Sequence, residues 1–237
     1  YSGTPIPVSD RLEMDRWIIS RSNTTVKKVD EYLDDYEPTR ATREIEAFVE
    51  ELSNWYVRRN RRRFWKEGKS LDQTLYECLT DLSKLISPVA PFLGEWLFRQ
   101  LNNVTGHDEE SVHVSFYPTV EETAIDKSLE HRMEMARQIS SMVLSLRNRI
   151  EINVRQPLER IILPIKDQEE RQAIESVKEI ILDEVNVKEI QFVDDDAGIV
   201  RKSAKPNFPV LGRKLGKKMK PVARKVQELT TDQITEY

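Results

Sequence analysis

The sequence predicts a mainly α-helical fold, with a helical bundle over residues 1–153 and a small α+β domain over residues 154–237. Two observations lead to this prediction. Apolar side chains recur at helical spacing through most of the first 150 residues. After residue 153 the pattern changes to short runs typical of strands, with a helical stretch between them.

The first two helices follow from caps, breakers and apolar spacing. A first helix is predicted to begin near Ser9 and to end near Asp35. A second opens at Thr39, directly after Pro38, and is predicted to run to Gly68. Its apolar stripe, at spacings of three, four and seven residues, consists of Ala41, Ile45, Phe48, Val49, Leu52 and Tyr56.

The rest of the bundle contains a proline break. Residues 71–102 have helical periodicity but include Pro88 and Pro91. Because proline removes a backbone donor and clashes with the preceding turn, we expect two helices or a sharp kink there. Residues 111–118 (SVHVSFYP) alternate and are predicted to be extended, and 123–151 to be helical. Antiparallel helices with short connections form a bundle.

The second domain is predicted from its change of period. In chain order we expect a strand at 158–165, a helix at 168–183, a strand at 187–193 and a third short strand at 198–203. The segment that follows, 209–227, is predicted to form short helices separated by Gly216 and Pro221.

Composition excludes several classes of function. The single cysteine, Cys78, cannot form an internal disulfide, and with three scattered histidines no zinc cluster is predicted. Glycine is scarce, at 7 of 237 residues, and neither common glycine-rich nucleotide loop occurs. No apolar run approaches membrane-spanning length. Because no catalytic constellation is recognisable either, we predict a cytoplasmic binding protein with no catalytic, metal or cofactor residue.

Charge is segregated along the chain. The net charge is −4, yet residues 199–227 hold ten basic residues and no acidic one, which leaves −14 on the rest. A second basic cluster lies at 58–66. A positive segment on an otherwise acidic protein favours a polyanionic partner. The segment 199–227 could equally be a flexible solubilising tail.

The most informative stretch is 53–65, SNWYVRRNRRRFW, which contains five arginines and four aromatic residues. Unstacked RNA bases stack on aromatic and guanidinium planes, and arginine also contacts the RNA backbone. In the alternative interpretation, Trp55, Tyr56 and Phe64 belong to the core, and the arginines form a solvated helix end that the helix dipole favours. Five arginines within six positions repel one another unless a partner neutralises them, which favours a binding role.

Long stretches of this sequence resemble a known family, the class I aminoacyl-tRNA synthetases. The stretches similar to its anticodon-binding bundle are SDRLEMDRWIISR from Ser9, YEPTRATREIEAFVEELSNWYVRRNRRRFW from Tyr36, ISPVAPFLGEWLFRQL from Ile86 and SVHVSFYP from Ser111. SNWYVRRNRRRFW resembles the isoleucine-specific members in particular; the valine- and leucine-specific members share the bundle and match less well. The stretches similar to the C-terminal junction region, in its eukaryote-like branch, are NVRQPLERIILP from Asn153, VNVKEIQFV from Val185 and KPNFPVLGRKLGKKMK from Lys205.

The resemblance implies a C-terminal fragment that holds the anticodon stem-loop of isoleucine tRNA. The family's catalytic signatures, HIGH and KMSKS, do not occur here and by resemblance would precede Tyr1. The fragment itself is therefore expected to be inactive and without cofactor, and ATP and magnesium are expected in the full-length ligase. The expected partners are tRNA and the remainder of the same polypeptide, in a monomer that contacts no membrane.

Residue types and resemblance together give a set of RNA-binding candidates. In the bundle they are Trp55, Arg58, Arg59, Arg62, Arg63 and Trp65, and in the second domain Lys205, Asn207, Arg213, Lys214 and Lys217. A different class of function also remains open, a helical interaction module whose basic end docks on an acidic protein surface. RNA binding releases condensed counterions and depends steeply on salt, whereas a protein interface with few charge pairs depends on it weakly.

Overall fold

The computed structural model describes residues 5–66, 69–105, 109–194, 204–208, 211 and 215–229. Contacts group the chain into two compact units, residues 1–134 and 135–237. The division falls inside a helix, so the domain boundary at 153/154 stays a prediction.

The first unit is a set of helices joined by short turns. Its elements are α1 (Glu13–Asp34), α2 (Pro38–Glu50), a π-helical segment (Glu51–Val57), α3 (Arg61–Lys66), α4 (Lys69–Ile86), α5 (Pro91–Thr105) and the beginning of α6 (Lys127–Arg149). The mainly α-helical fold is confirmed, as is the division into two helices around Pro88 and Pro91.

Two predictions for this unit are wrong in detail. The second helix is not continuous, since it changes to π-helical geometry at Glu51 and is interrupted by a turn at Asn60. The segment 111–118 forms a short 3-10 turn, Val112–Val114, rather than an extended strand. The cause lies in α5, where the Glu95 carboxylate accepts hydrogen bonds from the Val112 amide at 3.0 Å and the Ser111 hydroxyl at 2.8 Å.

The core of the first unit lies where α1 packs against α2 and α4, and α4 packs against α5. Its buried apolar side chains include Trp17, Ile18, Val26 and Val29 from α1, Ala41, Ile45 and Phe48 from α2, Cys78, Leu82 and Leu85 from α4, and Phe98 from α5. The contact between α4 and α5 is close: a Cβ atom at Gly94 would lie 2.9 Å from the Ser83 carbonyl oxygen. These helices hold the basic stretch 53–65 against one end of α1.

The second unit contains a β-α-α-β arrangement. Strand β1 (Leu158–Ile165) pairs in parallel with β2 (Val187–Asp194), from Leu158 opposite Val187 to Ile165 opposite Asp194. Parallel pairing requires a crossover connection, which is supplied by α7 (Gln168–Ser176) and α8 (Lys178–Val185). Both strand predictions are confirmed. The helix predicted at 168–183 is divided at Val177.

The C-terminal basic segment is partly described. Gly216–Lys218 form a 3-10 turn that leads into α9 (Met219–Gln227). Pro221 does not separate two helices, because it lies in the first turn of α9, where a missing N–H costs no intrahelical hydrogen bond. The third strand predicted at 198–203 lies outside the described residues. Among the described helices, none is long and apolar enough to cross a bilayer.

Candidate nucleic-acid interface

The stretch 53–65 lies on two different helical geometries. Its first part belongs to the π-helical segment, in which hydrogen bonds connect residues five apart. Two adjacent pairs face inward along this segment, because Glu51 and Leu52, and then Trp55 and Tyr56, are buried. The buried Glu51 carboxylate is paired, because the Nε of Arg21 on α1 donates to it at 2.7 Å.

The aromatic residues of the π-helical segment belong to the core. Trp55 is 7% exposed and Tyr56 is fully buried. The Tyr56 hydroxyl donates to the Asp15 carboxylate at 2.8 Å, and burial, together with that negative charge, raises the pKa of Tyr56 so that the hydroxyl stays protonated. The guanidinium of Arg59 lies 5.2 Å from the centre of the Trp55 ring, a cation–π contact. Base stacking on Trp55 stays a prediction, and in this conformation its ring is covered.

A second group of residues from the same stretch faces solvent. Arg58, Arg61 and Arg62 are exposed, and Trp65 on α3 is 87% exposed. The Nε of Arg58 donates to the Asn54 carbonyl at 2.8 Å, which holds the base of that side chain along the helix. The structure thus brings three guanidinium groups and one open indole together on consecutive turns of a single segment.

Arg63 points in a different direction from its neighbours. Its two terminal nitrogens donate to the two carboxylate oxygens of Asp15, at 3.0 and 2.9 Å, and Asp15 is fully buried. One of these nitrogens also donates to the Asn60 side-chain oxygen at 2.8 Å. The guanidinium of Arg63, which the sequence placed among the RNA contacts, is therefore used inside the protein; an RNA contact by Arg63 stays a prediction.

The candidates in the second unit are exposed where they are described. Lys205 and Asn207 face solvent, whereas Arg213, Lys214 and the side chain of Lys217 lie outside the described residues. Helix α9 adds a basic face that the candidate set lacks: Met219 and Ala223 are buried, while Lys220, Arg224 and Lys225 are exposed, as is Lys218 directly before the helix. This spacing is that of an amphipathic helix with a cationic outer side.

Two residues of the first unit are absent from the candidate set derived from the sequence, although Arg61 belongs to the basic cluster recognised there. Arg61 is exposed and stands four residues before Trp65, a spacing that places both on one helix face. Asp15 was missed although it lies on the same stripe as the buried Ile18, Val26 and Val29. An acid on an apolar stripe signals a buried partner of opposite charge, since burying an unpaired carboxylate is costly.

In the part of the chain that the structure describes, no three His, Cys, Asp or Glu side chains are grouped so that they could hold a metal ion. What the exposed residues can do is bind: planar cations and an indole suit unpaired bases and phosphates.

Comparison with known proteins defines the class. Residues 15–163 match the family model described as the anticodon-binding domain of tRNA ligase, which is more than half of the chain. The chain therefore belongs to the anticodon-binding domain family of tRNA ligases.

The relatives make the assignment more specific. The chain is 50% identical over 235 residues to an isoleucine-tRNA ligase of Porphyromonas gingivalis, which covers 97% of the chain and 20% of that protein. It is 46% identical over 243 residues to the isoleucine-tRNA ligase of Bacteroides thetaiotaomicron, covering 100% of the chain and 21% of the relative. The enzyme of the same name from Clostridium acetobutylicum is 39% identical over 229 residues, which cover 94% of the chain and 22% of that enzyme. The chain thus spans about a fifth of the length of the curated relatives it matches. The resemblance to this family is confirmed; the eukaryote-like branch stays a prediction.

Proposed function

We propose that this chain binds the anticodon stem-loop of an isoleucine tRNA as part of a longer, cytoplasmic, monomeric isoleucine-tRNA ligase. Family membership supports tRNA as the partner, and the named relatives support isoleucine as the amino acid. By resemblance, ATP and magnesium serve the remainder of the ligase. Because the HIGH and KMSKS signatures of the family do not occur in this sequence, we assign no step of aminoacylation to this chain.

The observation that carries the proposal is the open indole of Trp65 beside exposed arginines. An aromatic side chain that is 87% exposed gains little from packing within its own chain. In a complex with a loop, a splayed base can stack on it, and such stacking contributes about 1–3 kcal/mol per base. Loop bases are available for this contact, whereas the bases of an RNA helix lie in a deep, narrow groove.

The exposed arginines supply the complementary part of the binding. Arg61 and Arg62 lie about one turn from Trp65 along α3 and can contact phosphates on either side of a stacked base. Lys205, Lys218 and Lys220 offer further positive charge in the second unit. Phosphate contacts of this kind determine affinity and orientation, whereas contacts to base edges determine which loop is chosen.

The direct test is the binding of the 237-residue chain to two RNA hairpins, the anticodon stem-loops of an isoleucine tRNA and of a valine tRNA, at low and moderate salt. We expect tighter binding of the isoleucine stem-loop and a steep loss of affinity with salt. Trp65→Ala and Arg62→Gln should each weaken binding by about 1–3 kcal/mol while the chain stays folded.

Two exposed residues elsewhere in the first unit are matched controls. Trp96→Ala removes an indole that is 59% exposed on α5, and Arg43→Gln removes an exposed arginine on α2. Both should leave RNA affinity unchanged. Equal binding of the two hairpins would place discrimination outside this chain. Absence of binding, or weak salt dependence, would contradict the proposal and favour the protein-docking alternative.

A further inference from the structure

Asp15 connects three parts of the first unit through its buried carboxylate. It lies in the first turn of α1, accepts from the Tyr56 hydroxyl of the π-helical segment, and pairs in a bidentate manner with Arg63 of α3. Bidentate arginine–carboxylate pairs fix orientation as well as distance. The rotation of α3 about its own axis is therefore coupled to α1.

The turn before α3 makes this connection important. At Asn60 the helix is interrupted, and both the main-chain and side-chain nitrogens of Asn60 donate to the Tyr56 carbonyl, at 3.1 and 2.9 Å. Helix α3 is six residues long, too short to be stable without tertiary contacts. Its orientation depends on the contacts that it makes with the rest of the bundle, and Arg63 supplies two charge-assisted hydrogen bonds of that kind.

We infer that Asp15 is a positioning residue for RNA binding: by holding Arg63 it orients α3 so that Arg62 and Trp65 face solvent before RNA arrives. Arg62 and Trp65 are three residues apart and therefore share a helix face, and both are exposed. The inference rests on the proposed function. It assigns Arg63 an inward role, in contact with Asp15 rather than with phosphate.

Simple electrostatics predicts a different outcome for Asp15. Removing a negative charge near a basic surface should strengthen the binding of a polyanion, so without a positioning role Asp15→Asn should bind RNA as well as the wild type or better. Loss of positioning has the opposite effect on RNA affinity, which it lowers. The free protein must then order α3 at the moment of binding, and that ordering lowers the affinity.

The experiment measures the Kd of the isoleucine stem-loop for the 237-residue chain at several salt concentrations. We expect Asp15→Asn and Arg63→Gln each to raise Kd about five- to tenfold, because both lose the preorganised surface. The Kd of the double variant should be no higher than that of the single variant with the higher Kd, since both changes break the same contact. The slope of log Kd against log salt should stay at the wild-type value, because the bound state keeps its phosphate contacts.

Two comparisons separate positioning from other causes. Arg62→Gln removes a proposed phosphate contact and should reduce the salt slope by about 0.7. Asp34→Asn removes one negative charge from an exposed position of α1 and should leave Kd unchanged or slightly lower. Global unfolding also raises the apparent Kd, by the reciprocal of the folded fraction, so urea denaturation of each variant without RNA gives that fraction and the Kd values are compared after division by this factor.

The outcome is decisive in each case. If Asp15→Asn does not fold, Arg63→Gln and Arg63→Lys replace it, and the lysine variant should recover part of the affinity because it keeps the charge near Asp15. The inference is overturned if Asp15→Asn binds RNA as tightly as the wild type, or if Arg63→Gln lowers the salt slope as Arg62→Gln does. A wild-type chain that binds neither hairpin overturns the proposed function itself, and the positioning role with it.

Discussion

The guanidinium of Arg147 donates a hydrogen bond of 2.9 Å to the main-chain carbonyl of Val185, at the residue where α8 ends. The same side chain, 2% exposed, also donates to the carbonyls of Asn186, Asn153 and Gln156, at 3.0 to 3.2 Å. The last carbonyls of a helix lack intrahelical partners and carry partial negative charge. A buried arginine therefore joins the end of α6, the loop before β1 and the end of α8 within the second unit.

Replacing Arg147 should destabilise the second unit strongly. Arg147→Met leaves four main-chain carbonyls without this donor, including those of the buried Val185 and the half-buried Asn186, and we expect a loss of about 3 kcal/mol or more in the free energy of unfolding. Arg147→Lys keeps the charge but cannot reach four acceptors at once, so its loss should be intermediate. Urea denaturation followed by circular dichroism measures both. Arg149→Met, an exposed change on the same helix, is the control and should alter stability by less than about 0.5 kcal/mol.

The periodicity of apolar residues was sufficient to predict most of the helices and strands. The strand 158–165 was predicted with the bounds that the structure shows, and the break at Pro88 and Pro91 follows from proline chemistry alone. The π-helical segment could not be predicted in this way. The burial of both Trp55 and Tyr56 does not reveal the wider turn, since the α-helix α1 also buries adjacent residues, at Trp17 and Ile18.

For the candidate site, the sequence predicted composition better than orientation. Five neighbouring arginines indicate a polyanion, yet their directions depend on long-range partners: Arg63 turns inward because Asp15, 48 residues earlier, is buried beneath it. Arg147 illustrates the same difficulty, since an arginine in the last turn of a helix is normally a surface residue that the dipole favours. The position of Asp15 on an apolar stripe indicates that it is buried, but nothing near it in the sequence identifies Arg63 as its partner.

The close contact of α4 and α5 predicts that Gly94 cannot be enlarged. An added Cβ would lie 2.9 Å from the Ser83 carbonyl oxygen and 3.1 Å from the Ser87 Cα, both main-chain atoms that cannot rotate away. Gly94→Ala should therefore destabilise the chain by about 1–3 kcal/mol, although alanine is the better helix former. The midpoint temperature of thermal unfolding, compared between variant and wild type, measures this loss. Asn103→Ala, at an exposed position of α5, should be neutral or slightly stabilising, and equal behaviour of the two variants would contradict the close approach.

Asp81 predicts a pH dependence of stability. Burial raises the pKa of its carboxyl from 3.8 to about 6, partly opposed by the hydrogen bond from Ser22 and by Lys84. The folded state then binds a proton that the unfolded state releases between about pH 4 and 6, so the contribution of this group to stability falls as the pH rises through that window. Above pH 6 the loss of stability caused by the buried carboxylate is constant. A pKa difference of about two units corresponds to a loss of at most about 3 kcal/mol in the free energy of unfolding.

The corresponding variant is Asp81→Asn, which removes the charge and keeps the shape. It should be more stable than the wild type at pH 7.5 by about 1–2 kcal/mol, and the difference should disappear near pH 4. Urea midpoints at pH 4.5, 6 and 7.5 measure this. Asp72→Asn changes an exposed acid of the same helix and should show little difference from the wild type. An Asp81→Asn chain that is less stable at pH 7.5 would mean that the carboxylate is stabilised by its surroundings.

The basic segment of the second unit is predicted to contact phosphates and not base edges. Lys205 and Lys220 are exposed, and lysine is a compact point charge suited to a phosphate. If the segment binds RNA, Lys205→Gln and Lys220→Gln should each lower the affinity for the isoleucine and the valine stem-loop equally, by about two- to fivefold. Each should also lower the slope of log Kd against log salt by about 0.7 to 0.9. Lys188→Gln, an exposed change on β2, is the control. A solubilising tail would give a different result: both variants would bind RNA like the wild type and differ from it in solubility, because charge that meets no phosphate contributes to neither affinity nor counterion release.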